Sequence, residues 1–314
     1  MYWNFSDILI TSLASHEKKF SAEDGPFVVE VGFGNGEFLE HLASKRRDAT
    51  VVGFEVSQWC VAKASRRALA ADLRNVRVVW GDARFLLPRT FEAGAVDEVY
   101  MNFPCPWPKR RHADRRVTSD AFADTLRACL KTGGRFVLAT DVDWYAEETA
   151  AVFAGNASFD AGGVLKNPSR EYRTKYERKW LEMGRDTYLV EALKTGDGGM
   201  TVKETEAYRE EDEVEAETTR SWDEVGALLS SLRGDEIEGA GYKVVFKDAF
   251  LSGNDAALVL AIAVDEGFEQ HYYIKIVRTG GVLRGKVDSV GHPYRTPGVR
   301  ASLRHVMRKT GARF

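Results

Sequence analysis

The first 155 residues alternate between short apolar runs and stretches in which apolar residues recur at helical spacing. Five runs have the length of buried strands: Phe27–Phe33, Thr50–Val56, Val76–Gly81, Val96–Phe103 and Gly134–Thr140. Helices are predicted over Glu37–Ser44, Ser57–Asp72, Ser119–Leu130 and, with Asp141 or Asp143 as its cap, Trp144–Phe153. Two later runs, Phe159–Leu165 and Thr187–Leu193, complete seven predicted strands. This alternation favours an α/β fold with a mostly parallel seven-stranded sheet covered by helices on both faces.

The character of the chain changes after Gly196. Residues 204–217 contain eight acidic side chains against Arg209 alone, which fits a solvated linker or an exposed helix face. A helix, four strands and a basic last helix are then predicted over Trp222–Leu232, Tyr242–Phe250, Ala257–Val264, Gln270–Val277, Val282–Val290 and Gly298–Lys309. We therefore expect an N-terminal segment (1–24), a first domain (25–196), an acidic linker (197–220) and a smaller α+β domain (221–314).

Composition limits the partners that this chain can take. Its formal net charge is −3, so a contact with nucleic acid must come from a local basic patch. The longest apolar runs have only strand length and the N-terminus lacks a basic region, so we expect neither a membrane span nor a secretory signal. Cys60, Cys105 and Cys129 are far apart and lack metal-ligand spacing, which predicts a cytoplasmic protein with reduced thiols and no metal site.

A glycine-rich loop, Glu30–Gly36, follows the first predicted strand and opens a helix. Gly32, Gly34 and Gly36 allow a sharp turn and a close approach of backbone to a ligand, in a pattern shared by dinucleotide and methyl-donor sites. The third glycine of a dinucleotide fingerprint is replaced here by Glu37, whose charge would oppose a pyrophosphate at the helix N-terminus. S-adenosylmethionine carries a sulfonium cation and no phosphate, so an acidic loop that includes Glu30 suits it.

Two more acids end the next two strands. Glu55 is placed to accept hydrogen bonds from ribose hydroxyls, and Asp82 to receive the adenine amino group. Either acid alone fits a helix cap or a solvated turn equally well. Together with the glycine loop they predict a Rossmann-like class I methyltransferase domain with an S-adenosylmethionine pocket and no metal.

The loop after the fourth strand, Asn102–Arg116, contains three prolines around Cys105 and Trp107. Five cations follow within eight positions, Lys109, Arg110, Arg111, Arg115 and Arg116, offset only by Asp114. A stiff aromatic loop with clustered cations fits phosphate contacts beside an extruded base. The alternative is a solvated loop with Trp107 packed inward.

Phe103–Arg116 resembles the signature loop of the tRNA (guanine-N(7)-)-methyltransferase family, FPDPW-x-K-x-R-H-x-x-R-R. Elements in the same order also match: Glu30–Gly36, Gly53–Val56, Gly81–Ala83, Thr140–Asp141 and Thr174–Glu177. The resemblance covers about residues 25–195. It implies methyl transfer from S-adenosylmethionine, leaving S-adenosylhomocysteine, to N(7) of a variable-loop guanosine in tRNA. It implies that Glu30, Glu55 and Asp82 bind the cofactor, that Arg110, Arg111, Arg115 and Arg116 contact the tRNA backbone, and that the substrate contacts are Lys109, Asp141, Thr174, Lys175, Tyr176 and Glu177.

One position departs from the family pattern. Cys105 stands where the signature loop has the aspartate associated with catalysis, and a neutral thiol cannot replace a carboxylate electrostatically. The enzyme is then either active with Asp141 and Glu177 carrying that role, a catalytically impaired tRNA-binding protein, or a methyltransferase with another substrate, such as a small molecule. We expect a monomer or a homodimer that binds tRNA and no membrane.

Overall fold

The five strands and three helices predicted between residues 27 and 140 are present in a computed structural model, which describes residues 3–10, 19–107, 116, 119–196, 213–290 and 293–311. The chain divides into two units, Met1–Thr205 and Glu206–Phe314. No helix among the described residues is long and apolar enough to span a membrane.

The first unit is built on a mostly parallel sheet of nine strands in the order β1-β4-β3-β2-β5-β6-β9-β7, with β8 paired to β9. The strands are β1 (Leu9–Ile10), β2 (Phe27–Val31), β3 (Thr50–Glu55), β4 (Val76–Trp80), β5 (Val96–Asn102), β6 (Leu130–Thr140), β7 (Phe159–Ala161), β8 (Leu165–Lys166) and β9 (Tyr188–Lys194). The predicted α/β class is confirmed, but the strand count of seven is wrong. The two-residue β1 was not predicted, and Gly162 and Gly163 break one predicted strand into β7 and β8, since glycine weakens a strand interior.

Helices of the first unit cover this sheet: α1 (Phe5–Ile8), α2 (Glu37–Lys45), α3 (Gln58–Ala70), α4 (Ala83–Thr90), α5 (Asp120–Cys129), α6 (Asp143–Ala154) and α7 (Lys175–Glu182). Leu39 of α2 and Val61 of α3 pack with Val51 and Val78 of the sheet in one buried cluster. This packing fixes the glycine loop between α2 and the sheet. The expected cap of α6 is corrected, because Val142 occupies the N-cap without a side-chain hydrogen bond.

The second unit is a six-stranded antiparallel sheet in the order β10-β15-β14-β13-β12-β11. Its elements are β10 (Glu213–Glu217), α8 (Trp222–Ser230), β11 (Glu236–Gly239), β12 (Tyr242–Ser252), β13 (Ala256–Asp265), β14 (Phe268–Thr279), β15 (Val282–Val287) and α9 (Pro297–Lys309). Val225 and Leu229 of α8 and Val299 and Val306 of α9 are buried in its core. The predicted α+β class is confirmed here. The acidic linker was predicted to run to residue 220, but β10 begins at Glu213, because its backbone pairs with β15 from Glu213↔Lys286 onward.

Candidate active site

The functional side chains lie at the edge of the first sheet where its parallel strands end. Glu30 is the last but one residue of β2, Glu55 ends β3 and Asn102 ends β5. Asp82 is the second residue after the end of β4, and Asp141 directly follows β6. Open α/β sheets bind their ligands at this carboxyl edge, so the sequence-predicted acids share the position expected of a site.

The glycine loop has the backbone that the sequence predicts. Gly32, Gly34 and Gly36 all have left-handed φ angles, of 72°, 53° and 77°. At Gly36 a Cβ atom would also lie 2.7 Å from the Cβ of Ala64, so a side chain there would push α2 away from α3. The Gly32 amide donates to the Phe54 carbonyl over 2.8 Å, which ties the loop to β3.

Glu30 is the most unusual acid of the site because it is almost fully buried, with 2% of its surface exposed. Its Oε1 accepts a long hydrogen bond of 3.4 Å from Asn102 Nδ2, while its Oε2 accepts none of normal geometry from the described residues. Burial raises the pKa of Glu30 to about 8; nearby Glu55 adds to the rise, while Asn102, Arg170 and the Leu39 backbone oppose it. A buried carboxyl with an unsatisfied oxygen beside a glycine loop fits a cationic ligand, because a cation would supply the missing partner.

Glu55 and Asp82 have structural partners as well as the predicted position. Glu55 accepts the Gly34 amide over 3.0 Å and the Ser57 amide over 2.9 Å, so it holds the glycine loop against β3. Asp82 caps α4 through the Arg84 amide over 3.0 Å and pairs with the Arg84 side chain over 2.6 Å. The helix-cap alternative therefore applies to Asp82, and its contact with adenine stays a prediction.

The described part of the signature loop has strained backbone and an exposed thiol. Phe103 and Trp107 adopt left-handed φ angles of 51° and 43°, which non-glycine residues rarely do. Cys105 between them is exposed and free of any disulfide. Lys109, Arg110, Arg111 and Arg115 lie outside the described residues, so their predicted contacts remain predictions.

Arg116 was predicted to contact the tRNA backbone, but in the structure its guanidinium turns inward. Both oxygens of Glu148 accept from its Nη1, over 2.6 and 2.7 Å, and it lies 5.0 Å from the ring centroid of Trp144. The side chain is only 13% exposed. The ion pair connects Arg116 to α6, and the predicted contact of Arg116 with the tRNA backbone stays a prediction.

The Thr174–Glu177 element forms the start of α7. The Thr174 hydroxyl caps the helix by accepting the Glu177 amide over 3.2 Å, while Lys175 and Tyr176 are exposed. Glu177 is 1% exposed and pairs with Arg170 over 2.8 Å. Two of the four predicted substrate residues thus point inward and two outward.

Asp141 remains accessible at the same sheet edge. Its side chain is 21% exposed, and its Oδ2 lies 4.0 Å from Nη1 of Arg185. With this one distant cation among the described residues, Asp141 keeps acceptor capacity for a ligand, which suits its predicted role.

Arg170 and Asn102 are site residues that sequence reasoning missed. Arg170 Nη2 donates to Asn102 Oδ1 over 2.7 Å, and Asn102 in turn donates to Glu30. Asn102 carried a usable signal, since it ends β5 as Glu55 ends β3. Arg170 carried none, because its partners are distant in sequence or lie in a helix that was not predicted.

A mostly parallel sheet with a glycine loop after its first long strand and acids at successive strand ends defines the class of S-adenosylmethionine-dependent methyltransferases. Residues 24–190 match the family model described as "Putative methyltransferase". The chain is similar to a tRNA (guanine-N(7)-)-methyltransferase of Thermotoga maritima, with 39% identity over 89% of this chain and 87% of that protein. A protein of the same name from Thermus thermophilus is 32% identical over 90% of this chain and 88% of its own length.

The chain belongs to the tRNA (guanine-N(7)-)-methyltransferase family, as its sequence motifs predicted. The similarity extends beyond the methyltransferase domain, since the Thermotoga alignment spans 285 residues whereas the first unit ends at Thr205. By contrast, a relative of the same name from Nitrosococcus oceani is 37% identical over only 50% of this chain and 66% of its own length. The second unit is therefore shared with some relatives and is not specific to this chain.

Proposed function

We propose that this protein transfers the methyl group of S-adenosylmethionine to N(7) of a guanosine in tRNA. The observation that carries the proposal is similarity to tRNA (guanine-N(7)-)-methyltransferases over nearly the whole chain. The site chemistry agrees with it, because a buried carboxyl with an unsatisfied oxygen lies beside the glycine loop. These relatives give no support to the small-molecule alternative.

The cofactor would be held along the carboxyl edge of the sheet. Gly32, Gly34 and Gly36 let the backbone approach it closely, Glu30 pairs with its cationic part, and Glu55 accepts from its ribose hydroxyls. Bound there, S-adenosylmethionine supplies an electrophilic methyl group on a positively charged sulfur. Asp82 contributes at the adenine end only if its carboxylate accepts a further hydrogen bond beside Arg84, which a carboxylate's lone pairs allow.

Methyl transfer to N(7) of guanine depends on the placement of the two reactants more than on acid–base catalysis. N(7) of guanine has an in-plane lone pair and no proton to remove, so the protein must bring that atom to about 3–3.5 Å from the methyl carbon in line with its bond to sulfur. Methylation moves positive charge onto the purine. Carboxylates beside the base stabilise that charge, and Asp141 and Glu177 are the acids that we assign to it.

The presence of Cys105 in place of the aspartate affects the rate of the reaction and not its type. A thiol in place of the signature-loop aspartate removes one negative charge from the exposed side of the site. No step of this transfer requires a covalent enzyme intermediate, so Cys105 is not assigned a nucleophilic role. We propose that Asp141 and Glu177 sustain activity.

The test is transfer of labelled methyl from S-adenosylmethionine to unmodified tRNA, followed by identification of the modified nucleoside and its position. N(7)-methylguanosine in the variable loop is the expected product. Tight tRNA binding without transfer or cofactor affinity would instead identify a catalytically impaired tRNA-binding protein. Asp141→Asn should lower turnover more than it lowers tRNA affinity. We further propose a cytoplasmic location, from the scattered cysteines, and a monomer or homodimer in solution.

A further inference from the structure

Four side chains form a continuous chain of hydrogen bonds between the two halves of the site. Glu177 Oε2 accepts from Arg170 Nη1 over 2.8 Å, and Arg170 Nη2 donates to Asn102 Oδ1 over 2.7 Å. Asn102 Nδ2 then donates to Glu30 Oε1 over 3.4 Å. One end of this chain lies in the predicted substrate element and the other beside the glycine loop.

The charged groups in this chain of hydrogen bonds are buried, so their charges must be balanced within the protein. Glu30 and Glu177 are 2% and 1% exposed, and the Arg170 side chain is 11% exposed. Two buried carboxyl groups therefore share one buried guanidinium. Arg170 forms its ion pair with Glu177, whereas its hydrogen-bond link to Glu30 passes through Asn102, so a second cation would complete the partners of Glu30.

Arg170 determines the orientation of the Asn102 side-chain amide. Arg170 has only donors, so it requires the amide oxygen, and the amide NH₂ group is then directed toward Glu30. Without Arg170 the amide could turn over and present its oxygen to the Glu30 carboxyl. The position of Arg170 is also restrained, since its guanidinium lies 5.9 Å from the centroid of the Phe38 ring in α2.

We propose that Arg170 is a positioning residue that couples cofactor binding at Glu30 to guanosine binding at Thr174–Glu177. A cation at Glu30 completes the partners of that carboxyl and holds Asn102 in place. Arg170 is then held at both nitrogens, and the start of α7 is fixed where the base must bind. This inference rests on the proposed function, since it requires the base to meet the Thr174–Glu177 element.

The experiment measures the affinity of S-adenosylhomocysteine by titration calorimetry, with and without saturating unmodified tRNA. S-adenosylhomocysteine is the reaction product: it lacks the sulfonium charge and the methyl group of the cofactor but keeps its ammonium group, so binding is read without turnover. In the natural protein tRNA should raise the affinity at least about fivefold, the lower end of ordinary coupling between sites. Arg170→Gln should reduce this ratio to below about twofold.

Two further variants separate coupling from folding. Arg170→Lys keeps a cation opposite buried Glu177 but has a single nitrogen, which cannot serve Glu177 and Asn102 in the same geometry, so its ratio should also fall. Arg173→Gln, an exposed arginine of the same segment, should keep the ratio of the natural protein. A merely structural role would weaken both ligands separately and leave the ratio unchanged.

A natural protein without coupling, or a folded Arg170→Lys variant with full coupling, would overturn the inference while leaving the proposed function intact. Failure of the natural protein to methylate tRNA at all would overturn the proposed function first, and the inference with it.

Discussion

Replacement of Glu30 by glutamine should stabilise the ligand-free protein at neutral and alkaline pH. Burial raises the pKa of Glu30 from 4.5 to about 8, so the folded protein keeps a proton that the unfolded chain loses. Between these values the free energy of unfolding falls as pH rises, because the folded state binds more protons. At about 1.4 kcal/mol for each pH unit, the loss is roughly 3 kcal/mol at pH 7 and roughly 5 kcal/mol above pH 8.

The Glu30→Gln variant lacks this titration, so the difference in unfolding free energy between variant and natural protein should grow with pH. It should be smallest near pH 5 and largest near pH 8.5. Urea unfolding followed by hydrogen exchange of β2 peptides reports on the first unit alone, since two units need not unfold together. The neighbours Glu55, Asn102 and Arg170 are unchanged, so their contributions largely cancel. A difference that does not vary with pH would refute the reasoning.

The raised pKa of Glu30 also predicts that a proton is released when the cofactor binds. At pH 7 the Glu30 carboxyl of the free protein is mostly protonated, and a cationic ligand favours its charged form. Binding of S-adenosylmethionine should therefore release close to one proton, measured by calorimetry in buffers of different ionisation enthalpy. The Glu30→Gln variant should bind more weakly and release none. Proton-neutral binding by the natural protein would contradict the assignment of Glu30 as the partner of the cation.

Three further outcomes are expected. Cys105→Asp should raise turnover by about tenfold, equivalent to about 1.4 kcal/mol of transition-state stabilisation; an unchanged rate would mean that the position contributes no charge. Gly36→Ala should destabilise the protein by about 2 kcal/mol more than Gly133→Ala in thermal unfolding, because both glycines have positive φ but a Cβ at Gly133 meets no atom within 4 Å. Reversing the charge of exposed Arg304 and Arg308 on α9 should lower the logarithmic salt slope of tRNA binding by about two, and an unchanged slope would remove α9 from the interface.

The sequence predicted the long strands of the parallel sheet well because they are short, mostly apolar runs. Phe27–Val31, for example, is buried at every position. The sequence did not predict α4, which contains Pro88 and follows Asp82 directly, or α7, in which Glu177 is the sole buried residue. Helical periodicity is read over windows of about 11–18 residues, and both helices have only eight, so the pattern did not identify them.

The site was predicted unevenly for a similar physical reason. Glycines and strand-end acids are local signals, and Gly36 and Glu55 lie at the expected edge. The partners of charged groups depend on contacts across the fold. Arg116 looked like a free cation in the sequence but pairs with Glu148, whereas Arg170 attracted no notice and joins Glu177 to Asn102.

Acidic residues also occur along β10 and β11, the two outermost strands of the antiparallel sheet. Such edges expose unpaired backbone groups that invite strand addition from another molecule. In both strands the residues that alternate toward one face are glutamates: Glu213, Glu215 and Glu217 in β10, and Glu236 and Glu238 in β11. Lys243 and Arg284 pair with Glu236, Glu238 and Glu215, but a second copy approaching the β10 edge would still bring Glu213 and Glu217 of the two copies together. Acids that suggested a solvated linker therefore oppose strand addition at this edge.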